Sequence, residues 1–527
     1  MVIKVLMVVI FFSVMAGIGF YCRRHSSDVS SFVLGGRSVG PWLTAFAYGT
    51  SYFSAVIFVG YAGQFGWKYG IASTWIGLGN ALIGSLLAWV ILGRRTRIIT
   101  QHLDSSTMPE FFGRRFNSRA LKLGASLIVF IFLIPYTASL YNGLSRLFGM
   151  AFQVDYTVCI VSMAVLTGIY VVAGGYMATA INDFIQGLIM LAGIVVVIAA
   201  VLSGHGGFME SLRQLASVED PSVSSQPGVF ASFFGPDPIN LLGVVILTSL
   251  GTWGLPQMVQ KFYAIKSEKA IQKGTIISTF FAIVVSGGCY FLGGFGRLYT
   301  GQFDLAAEGY DAIIPAMLSS LPDLLIGLVV ILVLSASMST LSSLVMASSS
   351  TLTLDFLKET IMPDMSEKKQ VAVIRFLIVV FIGISAILAV IQYKSNLTFI
   401  AQLMGISWGA LAGSFLAPFL YGLYWKKATA ASVWCCFFFG TGLMTANMAA
   451  RSIFPAFLQS PINAGAFAMV AGLIIIPVVS TFTKAPDKKL VDSTFACYNE
   501  LMEVPQSVAL GDASTNLDRI SLRRYNS

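Results

Sequence analysis

Tyr48-Gly49-Thr50-Ser51-Tyr52-Phe53-Ser54 lies in the middle of one apolar run, and Gly251-Thr252-Trp253-Gly254-Leu255-Pro256 in the middle of another, five runs further along the chain. Glycine and proline weaken a helix interior, and in lipid every freed backbone carbonyl needs a partner, which a bound ion or buried polar groups can supply. A pair of Gly/Pro-interrupted spans at corresponding places is the expected trace of two inverted five-helix repeats around a central site. Two kinked, closely packing helices are the alternative, because both residue types are common in membrane spans.

The surrounding sequence sets the class. The chain has 527 residues, of which 56% are hydrophobic and 11% charged, against about a quarter charged in soluble domains. Apolar runs of about 20 residues, enough to cross the hydrocarbon as helices, recur from end to end. They fall near 2–22, 41–64, 70–92, 121–147, 154–172, 180–203, 239–262, 272–297, 322–356, 371–392, 397–424, 428–451 and 463–482, about 13 in all. No room is left for a separate soluble domain. The first run lacks a small-x-small cleavage pattern and ends at Arg23-Arg24, as a retained stop-transfer helix does.

The net charge of +9 comes from short connections and forms no continuous stripe, so the positive-inside rule accounts for it and a nucleic-acid partner is not expected. Arg94, Arg95, Arg97, Arg114, Arg115 and Arg119 share the 93–120 connection, and Lys261, Lys266, Lys269 and Lys273 the 261–273 connection on the same side. Arg23, Arg24, Arg37, Lys426, Lys427, Lys484, Lys488 and Lys489 join them. The 204–238 segment instead holds Glu210, Glu219, Asp220 and Asp237 against Arg213. An outside N-terminus, a cytoplasmic C-terminus and an odd number of spans follow.

Candidate chemistry concentrates in the ninth span. Ser335-Ala336-Ser337-Met338-Ser339-Thr340-Leu341-Ser342-Ser343 places Ser339, Ser342 and Ser343 at spacings of three and four, on one helix face. Hydroxyls beside exposed carbonyls can replace the water shell of a hard cation; small hydroxyl residues also serve simply as interhelical glue. Asp183, in Asn182-Asp183-Phe184-Ile185-Gln186, is one of few acids near an apolar run. Deep in a span it would require a cationic partner or an aqueous cavity; at the surface it would cap a helix.

Enzyme chemistry has little to work with. The three histidines, His25, His102 and His205, all lie outside the spans, so neither a His-based triad nor an intramembrane zinc site is supported. Gly174-Gly175 has no Walker-type lysine after it, which argues against ATP-driven transport. The six cysteines show no metal or haem spacing and read as reduced packing residues.

Leu34-Gly35-Gly36-Arg37-Ser38, then Gly174-Gly175-Tyr176-Met177-Ala178 leading into Asn182 to Gln186, then Ala336 to Ser343, and Gly422-Leu423-Tyr424-Trp425-Lys426-Lys427 occur in that order. Together they resemble the sodium/solute symporter family of proline, pantothenate, sugar, sialic acid and monocarboxylate symporters, over residues from about 30 to 430. The resemblance implies an all-α, leucine-transporter-like fold. Residues 1–30 would form an extra N-terminal helix, 31–425 a ten-helix core, 426–483 two C-terminal helices and 484–527 a flexible cytoplasmic tail. It implies a multi-pass plasma-membrane protein, in the inner membrane of a bacterial host. Such a protein would function as a monomer and couple sodium, its one metal ion, to a small organic solute by alternating access. An ion channel or a membrane-embedded solute sensor is the alternative.

The resemblance also implies a principal sodium site from the carbonyls of Thr50, Phe53 and Ala336 and the hydroxyls of Ser339 and Thr340. A second sodium site, as in sialic acid relatives, would use Asp183, Ser339, Ser342 and Ser343. One sodium crossing 100 mV with a tenfold concentration gradient supports about 500-fold solute accumulation, and two sodium ions about the square of that.

The solute is expected to meet Tyr52, Ser54, Tyr136, Trp253, Gln257 and Gln402. Proline symporters carry an acid where Tyr52 stands and aromatic residues where Thr248 and Thr252 stand. Sialic acid relatives hold the carboxylate with an arginine that Ile134 to Ser139 lacks. Trp253-Gly254 with Gln257 resembles the sugar branch, and Pro256 the amino-acid branch. An amino acid, a monocarboxylate or a sugar-like solute fits, with a carboxylate held by a half-helix N-terminus and the ions.

Overall fold

A computed structural model describes residues 2–22, 28–395 and 400–498. The expected basic pair Arg23-Arg24, His25 and the tail beyond 498 lie outside these residues. The described chain is helical: α1 (Val2–Cys22), α2 (Pro41–Tyr52), α3 (Val56–His102), α4 (Arg119–Phe152), α5 (Tyr156–Ile169), α6 (Gly175–Ser203), α7 (Pro238–Gly254), α8 (Pro256–Ala264), α9 (Glu268–Gly293), α10 (Asp323–Thr360), α11 (Glu367–Lys394), α12 (Ile400–Tyr424), α13 (Ala430–Ala449), α14 (Pro461–Phe482) and α15 (Lys488–Ala496).

Each expected run coincides with helix, yet among the described residues nine helices are long and apolar enough to cross a membrane alone. The pair α7 and α8, bent by 46°, makes ten. The difference from about 13 runs has local causes. α2 ends at the first break after 12 residues, α5 is a shorter apolar helix, and Asn447 with Thr441 and Thr445 dilutes α13. α3 combines the second half of one expected run with the whole of the next, divided at Gly70, whose φ of +61° interrupts the helix. Gly175, also at φ +61°, likewise divides α5 from α6.

Burial separates the centre from the lipid-facing rim. The apolar stretches of α10 and α12 are 83% and 94% buried, whereas those of α1 and α11 are 22% and 33% buried. α10 packs on α6 and α4, and α12 on α14 and α7. Gly254 permits the last of these approaches, since a Cβ there would lie 2.7 Å from the Leu416 nitrogen and 2.9 Å from the Ala412 Cα.

The end of the bundle that carries the basic connections is held shut by its own charges. Arg37 donates to the carbonyls of Tyr263 and Ser105, Arg97 to that of Ile265 at 2.6 Å, and Arg115 to those of Gly422 and Trp425. Lys122 lies 2.8 Å from Glu359 and 3.7 Å from buried Asp355. Part of the stretch expected as a free tail is ordered: α15 sets Phe495 4.9 Å from the Arg115 guanidinium and Asp492 3.2 Å from Lys426. At the opposite end a 720 Å³ cavity opens among Gln64, Lys68, Asp220, Arg297, Gln402 and Arg451.

Candidate functional site

The two breaks are near copies of each other. Phe53 ends α2 at φ −86°, ψ 125°, and Leu255 separates α7 from α8 at φ −88°, ψ 121°. Proline explains the second, because Pro256 forces the residue before it into extended backbone and then starts α8. At the first break no proline acts, and the opened backbone is held by α10. The Ala55 amide donates to the Ser337 hydroxyl at 3.3 Å. The Thr340 hydroxyl lies 3.1 Å from the Thr50 carbonyl, 3.2 Å from that of Phe53 and 3.1 Å from that of Ala336.

That last arrangement has too few protons. A hydroxyl carries one, yet three carbonyl oxygens converge on it. Ser339, fully buried beside it in sequence, has a hydroxyl with no hydrogen-bond partner. A buried pocket of oxygen atoms short of donors suits a hard monovalent cation. The structure thus brings Thr50, Phe53, Ala336 and Thr340 to one point, with Ser339 on the same helix turn.

Around the break lies a second set of polar groups without partners. The hydroxyls of Tyr52, Ser54 and Tyr136 and both amide atoms of Gln257 are buried and make no hydrogen bond. Trp408, which the sequence did not single out, joins them: its ring lies 5.8 Å from that of Tyr52 and 5.9 Å from that of Tyr136. Its indole nitrogen also lacks an acceptor. Trp253 is tied down, donating to the Ile83 carbonyl at 3.0 Å. Thr252 and Thr248 turn their hydroxyls onto backbone carbonyls. Gln402 stands apart from this cluster, in the wall of the outer cavity.

The Asp183 neighbourhood differs from its expected form. Asp183 is no surface cap, for it is fully buried within α6. Its partner is Lys261, whose ammonium lies 3.9 Å away and donates to Ser343 at 3.0 Å. Ser343 also contacts the Ser51 hydroxyl at 2.7 Å, and Ser342 donates to the Ser339 carbonyl. Lys261 is not a connection residue but a buried member of α8. The available signal was its place within the apolar run 239–262.

Comparison with known proteins agrees with this architecture. Residues 32–440 match the sodium:solute symporter family. A sodium/proline symporter of Staphylococcus aureus (strain JH9) is 31% identical over 438 residues, 81% of this chain and 82% of that protein. The chain belongs to the sodium:solute symporter family.

Another relative of this symporter is the osmoregulated proline transporter OpuE of Bacillus subtilis (strain 168), 28% identical over 491 residues, 91% of this chain and 94% of that one. Among solved structures, a substrate-bound outward-open state of a Na+-coupled sialic acid symporter superposes with a TM-score of 0.73. It has 18% identity and covers 92% of this chain and 98% of that one. The fold is therefore the leucine-transporter-like one with inverted repeats. The symporter is a multi-pass protein of the plasma membrane that couples sodium to the movement of a small solute.

Proposed function

We propose that sodium binds among the carbonyls of Thr50, Phe53 and Ala336 and the hydroxyls of Ser339 and Thr340, and that the solute binds beside it against Tyr52, Ser54, Tyr136 and Gln257. The observation that carries this reading is the Thr340 hydroxyl, within 3.2 Å of three carbonyls contributed by α2, its break and α10. Trp253 and Trp408 form apolar walls. Gln402 acts earlier, in the outer cavity through which the solute enters.

The solute is a compact carboxylate, either a monocarboxylate or a neutral amino acid. Tyrosine and serine hydroxyls and the Gln257 amide donate to a carboxylate without an arginine, and the adjacent ion supplies the charge. Tyr52 gives no anionic partner to an amine, so a purely cationic solute is disfavoured. Both sites lie within one chain, which makes the monomer the functional unit. Residues 31–425 form the transporting core, flanked by the 1–30 helix, the 426–483 pair and the 484–527 tail, with the basic end in the cytoplasm.

Uptake into proteoliposomes from a panel of labelled amino acids, monocarboxylates, sugars and amines, under a sodium or a potassium gradient, tests the proposal. Sodium-dependent accumulation of a small carboxylate is expected. Accumulation of amines alone, or equal uptake with potassium, would overturn it.

A further inference from the structure

We infer that Lys261 is a built-in cation occupying the place of a second sodium, so that this symporter moves one sodium per solute. The inference rests on the sodium-symport reading above and deepens it by fixing the stoichiometry. Four groups were expected to hold a second ion: Asp183, Ser339, Ser342 and Ser343. The Lys261 ammonium already engages two of them, lying 3.9 Å from the Asp183 carboxylate and 3.0 Å from the Ser343 hydroxyl. Ser343 is further occupied by Ser51, and Ser342 is turned onto the Ser339 carbonyl of its own helix. Of the three hydroxyls, only that of Ser339 is left without a partner, and in the proposed arrangement it belongs with Thr340 in the principal site.

Charge balance points the same way. Asp183 and Lys261 are both buried, with side chains 1% and 3% exposed. The carboxylate receives no hydrogen bond, so its single negative charge is balanced by the single positive charge of Lys261. A sodium ion added here would leave a net positive charge in a site closed to water, which low-dielectric surroundings oppose. The ammonium also sits 5.1 Å from the centre of the Tyr176 ring, a favourable cation–π position. Lys261 on α8 thereby links α6, through Asp183 and Tyr176, to α10 and, through Ser343, to Ser51 of α2. A free ion would make such a link only when bound; the lysine makes it permanently.

The test measures labelled sodium and labelled solute entering the same proteoliposomes. One sodium per solute is expected for the wild-type protein, with a sodium Hill coefficient near one and, at 100 mV and a tenfold sodium gradient, an accumulation ceiling of about 500-fold for a neutral amino acid and about tenfold for a monocarboxylate anion, whose symport with one sodium moves no net charge. Lys261→Gln, which vacates the ammonium position and leaves a bound ion as the means of balancing an ionised Asp183, is expected to move two sodium ions per solute. Adding Asp183→Asn to that variant is expected to return the ratio to one. A wild-type ratio of two overturns the inference, as does a correctly inserted Lys261→Gln protein that still moves one. Should Lys261→Gln fail to insert because Asp183 is left unpaired, the neutral double variant is expected to insert and move one sodium, and a double variant moving two would refute the assignment. Failure of the underlying symport reading would look different, since wild-type uptake would then persist with potassium in place of sodium.

Discussion

Replacing Thr340 by valine removes one oxygen while keeping the shape of the side chain, and so isolates the hydroxyl on which the proposed ion site depends. In the structure this oxygen stands 3.1–3.2 Å from three buried carbonyls, which would remain and point at a methyl group. Losing one of five ligands to a charge is comparable to losing a hydrogen bond to a charged group, about 1.5–3 kcal/mol. At 1.4 kcal/mol per factor of ten, the half-saturating sodium concentration should rise about 10- to 150-fold. The assay is the initial rate of solute uptake into proteoliposomes as sodium is varied, at equal amounts of inserted protein. Thr340→Ser, which keeps the oxygen, should stay within about threefold of wild type by the same scale. A valine variant whose sodium requirement lies within about twofold of wild type would refute the site, since that shift corresponds to less than one neutral hydrogen bond.

Tyr52→Phe and Tyr136→Phe each delete a hydroxyl that has no partner in the protein. Each should raise the solute KM about 2- to 12-fold, the worth of a neutral hydrogen bond, while the sodium requirement of uptake at saturating solute stays unchanged. Gly254→Val drives a side chain into the backbone of Leu416 and Ala412; the cost of such overpacking, about 1–3 kcal/mol or more, should appear as loss of folded protein on size-exclusion chromatography in detergent. Asp311, in the connection between α9 and α10, has its carboxyl pushed up from the usual 3.8 to about 6 by burial, against the opposing pull of the Ile400 amide and Arg146. A raised acid pKa means that the folded state holds the proton more tightly. The stabilisation is therefore fully present below pH 3.8 and is lost as pH rises through about 6. Acidification from pH 7.5 to 5 should raise the Tm of the wild-type protein in detergent more than that of Asp311→Asn, by an amount worth about 1.4 kcal/mol, a little under half of what the full shift supplies.

The parts of the site that depend on the backbone were legible in the sequence. Glycines and Pro256 declared the two breaks, and the spacing of Ser339, Ser342 and Ser343 declared an oxygen-rich face. Local chemistry suffices for both features. What required the fold was the destination of long side chains. Lys261, Arg37 and Arg115 were all counted as topology-setting charges, yet Lys261 reaches Asp183, while Arg37 and Arg115 close on the backbone carbonyls of Tyr263 and Gly422 in other helices. An apolar stem lets such a cation travel several ångströms from its Cα, so its partner is not written in its neighbours. Trp408 was illegible for a related reason: a tryptophan inside an apolar run reads as packing until Tyr52 and Tyr136 are seen against it. Gln402 marks the opposite case. Its position two residues into α12 puts it in the outer cavity wall, and only the tilt of the helices decides how far from the break that lies.

The donor shortage at Thr340 also bears on coupling. Without an ion, one proton must serve three carbonyls, so the junction between the α2 break and α10 is incompletely bonded. Thr50 and Phe53 belong to the first repeat, and Ala336, Ser339 and Thr340 to the second. A sodium ion bound there, as proposed, would bond one repeat to the other. Phe53 is flanked by Tyr52 and Ser54, which the proposed solute site uses, so fixing the Phe53 carbonyl on the ion also fixes the two hydroxyls that meet the solute. On this proposal, ion and solute are two ligands of one stretch of opened backbone. Each lowers the cost of ordering it for the other, and linkage requires the two effects on binding free energy to be equal. On the proposed sites, coupling in this chain would need no signal carried over distance: the residues proposed to bind the ion and those proposed to bind the solute are neighbours in the same break.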